Sequence, residues 1–351
     1  MQMKFFGIFA AMDSLTQIVL GATCGEIALG KKIGNKALLF GAIGGTIPDL
    51  DVFIGGWIYG NEIDAMAFHR GFMHSILFAI LAPFVFGWIT HKLYDTKKRK
   101  GTTTLKNWIW LYFLSIFTHP ILDSFTPYGT QLFSPFTDYR TAFNTISVVD
   151  PLYTLPFLLC LIIAMFYNRK RTRRTWWLKT GIYISSFYLL FTIGNKLYID
   201  SVFKKSFNNA KINYSRFSVQ PTILNNILWY GIAETETNYK VGFYSLFDTK
   251  SELDTILTIP KNRKLLNVNH PDIKTLTWFS NGFYNLESTD TLNQVQYIDL
   301  RYPMLNPTDI NTSLFRFQLK KENNRWDMIP FQGARPSSDD FKEFSERFWG
   351  K

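Results

Sequence analysis

Histidines and aspartates occur within or beside long apolar runs of this chain, where an ionisable side chain needs a partner. In "FGAIGGTIPDLDVFIGG", Asp49 and Asp51 follow Pro48. A charge inside a bilayer is costly unless it is paired, hydrated or bound to a metal, so each such residue indicates a functional site. The set comprises four carboxylates and three imidazoles: Asp49, Asp51, His69, His74, His119, Asp123 and Asp150.

The spacing of these residues predicts how they meet. "HPILD" places His119 and Asp123 four residues apart, which in a helix is one face and suits two ligands of one metal. Pro120 predicts a kink or a helix start at this point. "PDLD" places Asp49 and Asp51 on the same side of an extended segment. The alternatives are a simple His–Asp pair within a helix bundle and a solvated acidic loop.

The segment "HRGFMHS" separates His69 from His74 by five residues, about 500° of helix rotation, so one continuous helix would point them apart. If both bind one metal, His69 must precede the helix and His74 must lie on its first turns. Gly71 permits such a break. Arg70 is predicted to clamp an anion, and the alternative is an arginine that reaches the membrane interface.

The seven residues form the mixed oxygen and nitrogen donor set that suits Zn²⁺, Mn²⁺ or Fe²⁺, as one ion or as a pair. Cys24 and Cys160 take no part in it, so a thiolate zinc site is not indicated. A carboxylate that is not fully used in coordination, Asp51 or Asp150, is the predicted general base.

Six apolar runs must position these residues. Several of them approach the roughly 20 residues that cross a bilayer core, which predicts a mainly α polytopic bundle of five or six membrane helices. From about residue 195, short alternating stretches rich in aromatic and β-branched residues predict a smaller, mainly β soluble domain. The predicted domains are 1–195 and 196–351. The apolar runs cover roughly residues 14–29, 37–56, 72–90, 108–125, 151–167 and 176–194.

Lysine and arginine are distributed unevenly among the connecting loops. Loops 30–36, 91–107 and 168–179 hold fifteen of these residues, whereas loops 57–70 and 126–150 hold two. The positive-inside rule then predicts a protein of the cytoplasmic (inner) membrane with both chain ends outside and all seven candidate residues at the outer rim. The net charge of +11 follows largely from this topology, so membrane lipid is an expected partner and nucleic acid is not.

Some further residues carry predictions of their own. Glu26 is predicted to pair with Lys31 and Lys32, Asp13 to cap the first helix, and His270 to be an ordinary surface residue. A C-terminal amphipathic helix is predicted over "SDDFKEFSERFWG". Strands are predicted at "TILNNILWYGIAE", "YKVGFYSLF", "TLTWFSNGFYNLE", "VQYIDLRY" and "SLFRFQLK".

The same residues carry a resemblance. The strings "MDSLTQIVLGATCGE", "GAIGGTIPDLDV", "FHRGFMHSILF", "THPILDSFTPYG" and "VVDPLYTLP" resemble, in this order, the YdjM family of inner-membrane metal-dependent hydrolases. The resemblance covers about residues 12–165. Independently of it, Met12 is an alternative start to Met1. The resemblance implies a membrane-embedded hydrolase whose functional His and Asp positions are the seven named above. Family members often have a histidine where this chain has Gln17, a weaker metal donor.

The leading functional prediction is a metal-dependent hydrolase at the outer membrane face that acts on a phosphoester or lipid-derived substrate by metal-activated water. Arg70 and Arg140 favour an anionic substrate, and an amide or peptide bond is the alternative. An ion-coupled transporter would instead place acids near the bilayer midplane. A non-catalytic scaffold would use the metal to staple helices and would close it with protein ligands.

Overall fold

The chain has a mostly helical N-terminal part and a C-terminal part built of two antiparallel sheets. Side chains are described from Ser14 onward, so the cap predicted at Asp13 lies outside the described residues, as does the choice between Met1 and Met12. The computed structural model describes residues 2–289, 291, 293–305, 312–330 and 337–350.

Glycine and proline mark several of the breaks between the helices of the N-terminal part. Gly34 adopts a φ of 62° between the first two helices, and Pro48 opens a short 3-10 helix after the second. A second 3-10 helix, Phe72–His74, precedes the fifth helix. The helices are α1 (Gln2–Ile33), α2 (Asn35–Thr46), α3 (Asp51–Ile58), α4 (Glu62–Phe68), α5 (Ile76–Tyr94), α6 (Leu105–Ser124), α7 (Pro151–Met165) and α8 (Thr172–Asn209).

Helices α1 and α2 pack backbone against backbone through facing glycines. A Cβ at Gly25 would lie 2.1 Å from the carbonyl oxygen of Ala37, and one at Gly41 would lie 2.3 Å from that of Gly21. No larger residue fits such an approach, which small residues commonly allow between membrane helices. The contact fixes the end of α2, where the chain turns into the segment that carries Asp49.

One described helix, α5, is long and apolar enough by itself to cross a membrane. Helix α2 and the segment Pro48–Ile58 pass the same test only when taken together, across a bend of 46° between them. Exposed Leu81, Phe84 and Val85 give α5 an apolar outer surface, as expected for a helix in contact with lipid. The five or six crossings expected from the sequence stay a prediction beyond these spans.

The C-terminal part contains two four-stranded sheets whose neighbouring strands are consecutive in the chain. The predicted C-terminal helix is present as α10 (Ser338–Phe348), and its N-cap is Ser337, whose side chain accepts a hydrogen bond from the Asp340 N–H. The strands are β1 (Arg216–Pro221), β2 (Leu228–Glu234), β3 (Asn238–Ser245) and β4 (Leu257–Pro260) in the first sheet, and β5 (Tyr284–Ser288), β6 (Gln294–Asp299), β7 (Arg316–Glu322) and β8 (Arg325–Ile329) in the second.

Three predictions about local structure need correction. The first half of "TLTWFSNGFYNLE" lies in a helix, α9 (Pro271–Phe279), because buried Ile273 and Leu276 recur at helical spacing. His270 is the N-cap of α9 and accepts a hydrogen bond from the N–H of the second helical residue, so it has a structural role. Glu26 pairs with Arg174, with both contacts at 2.6 Å, rather than with the two lysines.

Helix α8 connects the two parts of the chain. The boundary predicted between residues 195 and 196 lies inside this helix, whose end packs on the first sheet through Ile199, Phe203 and Phe207. Helix α4 provides a second contact between the two parts, because its Ile63 is fully buried in the core of the second sheet. These contacts hold the C-terminal part against the loops that carry the candidate residues.

Candidate metal centre

Three segments bring the candidate residues together. Asp49 lies in the 3-10 turn that Pro48 opens, and His74 ends the second 3-10 helix, just before α5. His119 lies on α6, which stays helical through Pro120. The break predicted between His69 and His74 is therefore present. No helix starts at Pro120, because α6 begins at Leu105 and continues to Ser124.

Asp49, His74 and His119 form a group that can hold a metal ion. The Nε2 atoms of the two histidines lie 3.1 Å apart, and each lies 3.4 Å from Asp49 Oδ1. Zinc bound tetrahedrally by nitrogen and oxygen at about 2.0–2.1 Å holds its ligand atoms about 3.3–3.4 Å apart. The three atoms therefore have the dimensions of one face of a tetrahedral site.

The far nitrogen of each imidazole lies close to an oxygen acceptor. Nδ1 of His119 lies 2.6 Å from the carbonyl oxygen of Gly45, and Nδ1 of His74 lies 2.9 Å from Asp51 Oδ2. A carbonyl oxygen only accepts, so Nδ1 of His119 carries the proton and, in the neutral ring, Nε2 presents its lone pair. Such outer partners fix the tautomer and direction of histidines that bind metals.

Asp123 adds a fourth electron-rich atom beside this group. Its Oδ2 lies 3.5 Å from Nε2 of His74 and 3.4 Å from Nε2 of His119, and it is buried without a hydrogen-bond donor. It does not belong to the set of ligand atoms that all lie within 4.8 Å of one another. Convergence of these lone pairs and carboxylates fits a bound divalent cation, which offsets their repulsion.

Asp51 lies behind His74, and His69 lies beyond it. Asp51 Oδ1 lies 2.8 Å from His69 Nδ1, and Oδ2 accepts a hydrogen bond from the Arg70 N–H at 2.9 Å. Asp51 is buried, whereas the His69 side chain keeps 21% of its exposure. The geometry thus gives Asp51 a role in orienting two histidines, and neither residue enters the group around Asp49 that the sequence predicted them to share.

Arg70 is held in an unusual conformation inside the protein. Its φ is 58°, a region that residues with a side chain rarely adopt. The side chain is 2% exposed and lies 3.2 Å through Nε from Asp123 Oδ2, and it donates to Thr126 at 3.1 Å. Arg70 therefore points inward and offsets part of the negative charge, and it does not reach the membrane interface.

Asp150 lies apart from this arrangement. Its Oδ1 accepts a hydrogen bond from the Leu152 N–H at 3.0 Å as the N-cap of α7, and Oδ2 accepts one from the Tyr188 hydroxyl at 2.9 Å. No hydrogen bond or ion pair found among the described side chains joins Asp150 to the other six candidates. Helix capping explains why an aspartate precedes Pro151 at this position.

Sequence reasoning missed the role of two groups. Gln17 is buried and donates to Asp123 Oδ1 at 2.7 Å, so it positions a carboxylate without binding metal itself. The sequence signal for this role was a glutamine within an apolar run. No sequence signal points to the Gly45 carbonyl group, because every residue has a backbone carbonyl. Among the three grouped residues Asp49 alone is partly exposed, which makes it the entrance side of the site.

Comparisons with known proteins identify the family of the segment that carries the candidate residues. A family model described as "YdjM inner membrane protein" matches residues 12–197. The chain belongs to the YdjM inner membrane protein family. All seven candidate residues lie within the matched segment, and the predicted family resemblance is confirmed. Family membership supports a membrane protein, whereas the number of crossings and the side of the C-terminal part stay predictions.

Two curated relatives extend the comparison. The "Uncharacterized protein YfhP" of Bacillus subtilis (strain 168) is 28% identical over 159 residues, which is 43% of this chain and 46% of the relative. The "Inner membrane protein YbcI" of Escherichia coli (strain K12) is 36% identical over 109 residues, which is 30% of this chain and 57% of the relative. The chain thus spans about half the length of the curated relatives it matches. No solved structure matches the chain.

Proposed function

We propose that this chain is a membrane-bound hydrolase that uses one divalent metal ion, Zn²⁺, held by Asp49, His74 and His119. The observation that carries the proposal is the three-atom group with one partly exposed member. Catalytic zinc sites have three protein ligands and an open position for water or substrate, whereas structural sites are closed by four. When bound, the metal would polarise the scissile group and activate a water.

The chain's own residues prepare this site. Asp51 holds the direction of His74, and the Gly45 carbonyl holds that of His119. Asp123 Oδ2 accepts no hydrogen bond from a described residue, although it lies 3.2 Å from Arg70 Nε, and it borders the three-atom group, where it would accept a proton from the attacking water. In this proposal Asp123 takes the place of Asp51 and Asp150 as the general base, because its Oδ2 borders the three-atom group, whereas Asp51 lies behind His74 and Asp150 caps α7.

The proposed substrate is a phosphoester, such as a lipid head group, at the outer face of the cytoplasmic membrane. Arg140 supports an anionic substrate, because its guanidinium group contacts the carbonyl oxygens of His69 and Gly129 and no described carboxylate. The excess of basic residues in three alternate loops supports the outer location of the site and of the C-terminal part.

A metal-stapled scaffold is the second candidate function. Asp123 Oδ2 lies only 3.4–3.5 Å from both imidazole Nε2 atoms. A small movement of this carboxylate toward the metal would give four protein ligands and close the site. The metal would then join the segments of Asp49, His74 and α6 without catalysis.

Elemental analysis of the detergent-purified chain tests the metal first. About one zinc per chain is expected, with loss in His119→Ala and Asp49→Asn and retention in His91→Ala, a matched control at the other end of α5. Full metal content in both site variants would overturn the proposed ligands. Chelator-sensitive hydrolysis of a phosphodiester or phospholipid, with no cleavage of a peptide, is expected of the enzyme. Metal binding without hydrolysis of any substrate class would instead support the scaffold.

A further inference from the structure

The C-terminal part contains a cleft of about 580 Å³ whose lining is basic and aromatic. We propose that this cleft binds the phosphate group of a phosphate ester. The inference does not require the metal centre to be catalytic. Among the residues that line the cleft are Arg216, Arg263, Lys274, Trp278, Asn281 and Tyr284.

The lining carries an excess of positive charge. It includes three cationic side chains and no carboxylate. Glu234 contacts two of the cations, at 2.6 Å from Arg216 and 3.2 Å from Arg263, and it also pairs with Lys261 at 2.8 Å. Lys274 has no hydrogen-bond or ion-pair partner for its ammonium group in the described part of the chain. One carboxylate therefore pairs with three cations, and Lys274 lines the same cleft as a fourth. A bound anion would reduce the repulsion among these positive charges.

The two guanidinium groups are held in fixed positions. Arg216 donates to the Asn281 carbonyl oxygen and Arg263 to that of Gly282, both at 2.6 Å. Arg216 lies over the Phe283 ring at 4.1 Å from its centroid. An arginine fixed in this way loses little conformational entropy when its remaining N–H groups bind a phosphate.

Free hydrogen-bond donors remain on these groups. The Nε atom of Arg263 is buried without a hydrogen-bond partner in the described structure. The Arg263 side chain as a whole stays 32% exposed, so its outer N–H groups can donate to a phosphate oxygen in the cleft. Gly282 has a φ of 70°, and a Cβ there would lie 2.6 Å from Arg216 Nη2. Glycine at this position therefore permits the close approach of the guanidinium.

The cleft lies on the side of the C-terminal part that faces the membrane part. Trp278 lines it and donates from Nε1 to the Asp138 carbonyl oxygen at 3.1 Å. Arg140 lies 5.4 Å from the Trp278 ring centroid, and it also contacts the His69 carbonyl oxygen. Burial, with Arg301 as a further cause, lowers the pKa of Arg140 to about 10, so it stays charged at neutral pH. A chain of cationic and aromatic groups thus leads from the cleft toward the metal centre.

Binding measurements on the full chain test this site with two sources of phosphate. Glycerol 3-phosphate is titrated into the chain in neutral detergent, and nanodiscs of phosphatidylcholine with or without phosphatidylglycerol are compared. Binding of the soluble ester supports a water-soluble ligand. Binding that appears only with phosphatidylglycerol supports a lipid head group. Failure of both probes to bind overturns the proposal.

Charge reversal at one residue provides the specific test. Lys274→Glu is expected to fold, because the lysine side chain has no described partner, and to weaken binding about tenfold, the effect of losing one charged hydrogen bond. Lys342→Glu is the matched control, since Lys342 is 75% exposed on α10 and does not line the cleft. Equal weakening by both variants would show general charge attraction and would refute a specific site. His119→Ala is expected to retain the binding, which separates this proposal from the metal centre.

Discussion

Asparagine in place of Asp51 distinguishes a carboxylate that orients a ligand from one that binds the metal. Asp51 lies 2.9 Å from His74 Nδ1 and 2.8 Å from His69 Nδ1, and it accepts the Arg70 N–H. Asparagine keeps the shape of the side chain but loses its charge. Its amide nitrogen donates a hydrogen bond where one of the Asp51 carboxylate oxygens accepts.

Removal of such an outer partner typically costs about 10–100-fold in metal affinity, or about 1.4–2.7 kcal/mol. Asp51→Asn should therefore retain a metal site that is weaker by this factor. Asp49→Asn removes a charged ligand atom and should lose more than 100-fold under the same conditions.

Metal content across a series of buffered zinc concentrations, measured by mass spectrometry on purified protein, gives both affinities. Asp138→Asn is the matched control, because Asp138 is exposed and contributes only its backbone carbonyl to a described contact. Circular dichroism checks that each variant retains its helices. An affinity of Asp51→Asn as low as that of Asp49→Asn would make Asp51 a ligand. An unchanged affinity would remove its orienting role, so either result would refute the reasoning.

Three further predictions concern stability. Metal at 100 times its dissociation constant stabilises the folded state by about 2.7 kcal/mol, so a chelator should lower the melting temperature of the chain and leave that of His119→Ala unchanged. Gly25→Ala should destabilise by about 1–3 kcal/mol in thermal melts, because its Cβ meets the α2 backbone, whereas Gly56→Ala, with open space around it, should not. Glu26→Gln breaks the buried ion pair with Arg174 and should lower the free energy of unfolding by about 3–5 kcal/mol in denaturant titrations. An unchanged stability of Glu26→Gln, or an equal loss of stability in Lys31→Gln, would contradict the pairing with arginine.

Much of the fold follows from the sequence, because hydrophobic patterning decides where helices and strands form. The long apolar runs and the later alternating stretches correspond to a helical part and a part made of sheets. Helix α9 escaped this reasoning, since an aromatic segment with apolar residues three apart fits a strand and a helix about equally well. The cap at His270 and the proline after it decide for the helix, and the buried face of α9 follows from packing.

The candidate site was likewise predicted only in part from the sequence. Residue types predicted a functional site, since imidazoles and carboxylates in apolar surroundings must be paired, hydrated or bound to a metal. The four-residue spacing of His119 and Asp123 on α6 also placed both at one point. Which side-chain atoms converge could not be predicted from the sequence, because side-chain direction outside helices depends on the turn that carries the residue.

The sequence by itself therefore determined which residues were candidates, the family that they resemble and their position toward one end of the apolar runs. Tertiary structure alone decided that Asp49 and the two histidines converge, that Asp51 stands behind His74, and that Asp150 caps a helix instead. The physical reason is the distance along the chain over which each kind of interaction acts. Periodicity and composition act over neighbouring residues, whereas a site with angstrom tolerances depends on backbone contacts between distant segments, such as the glycine packing of α1 on α2.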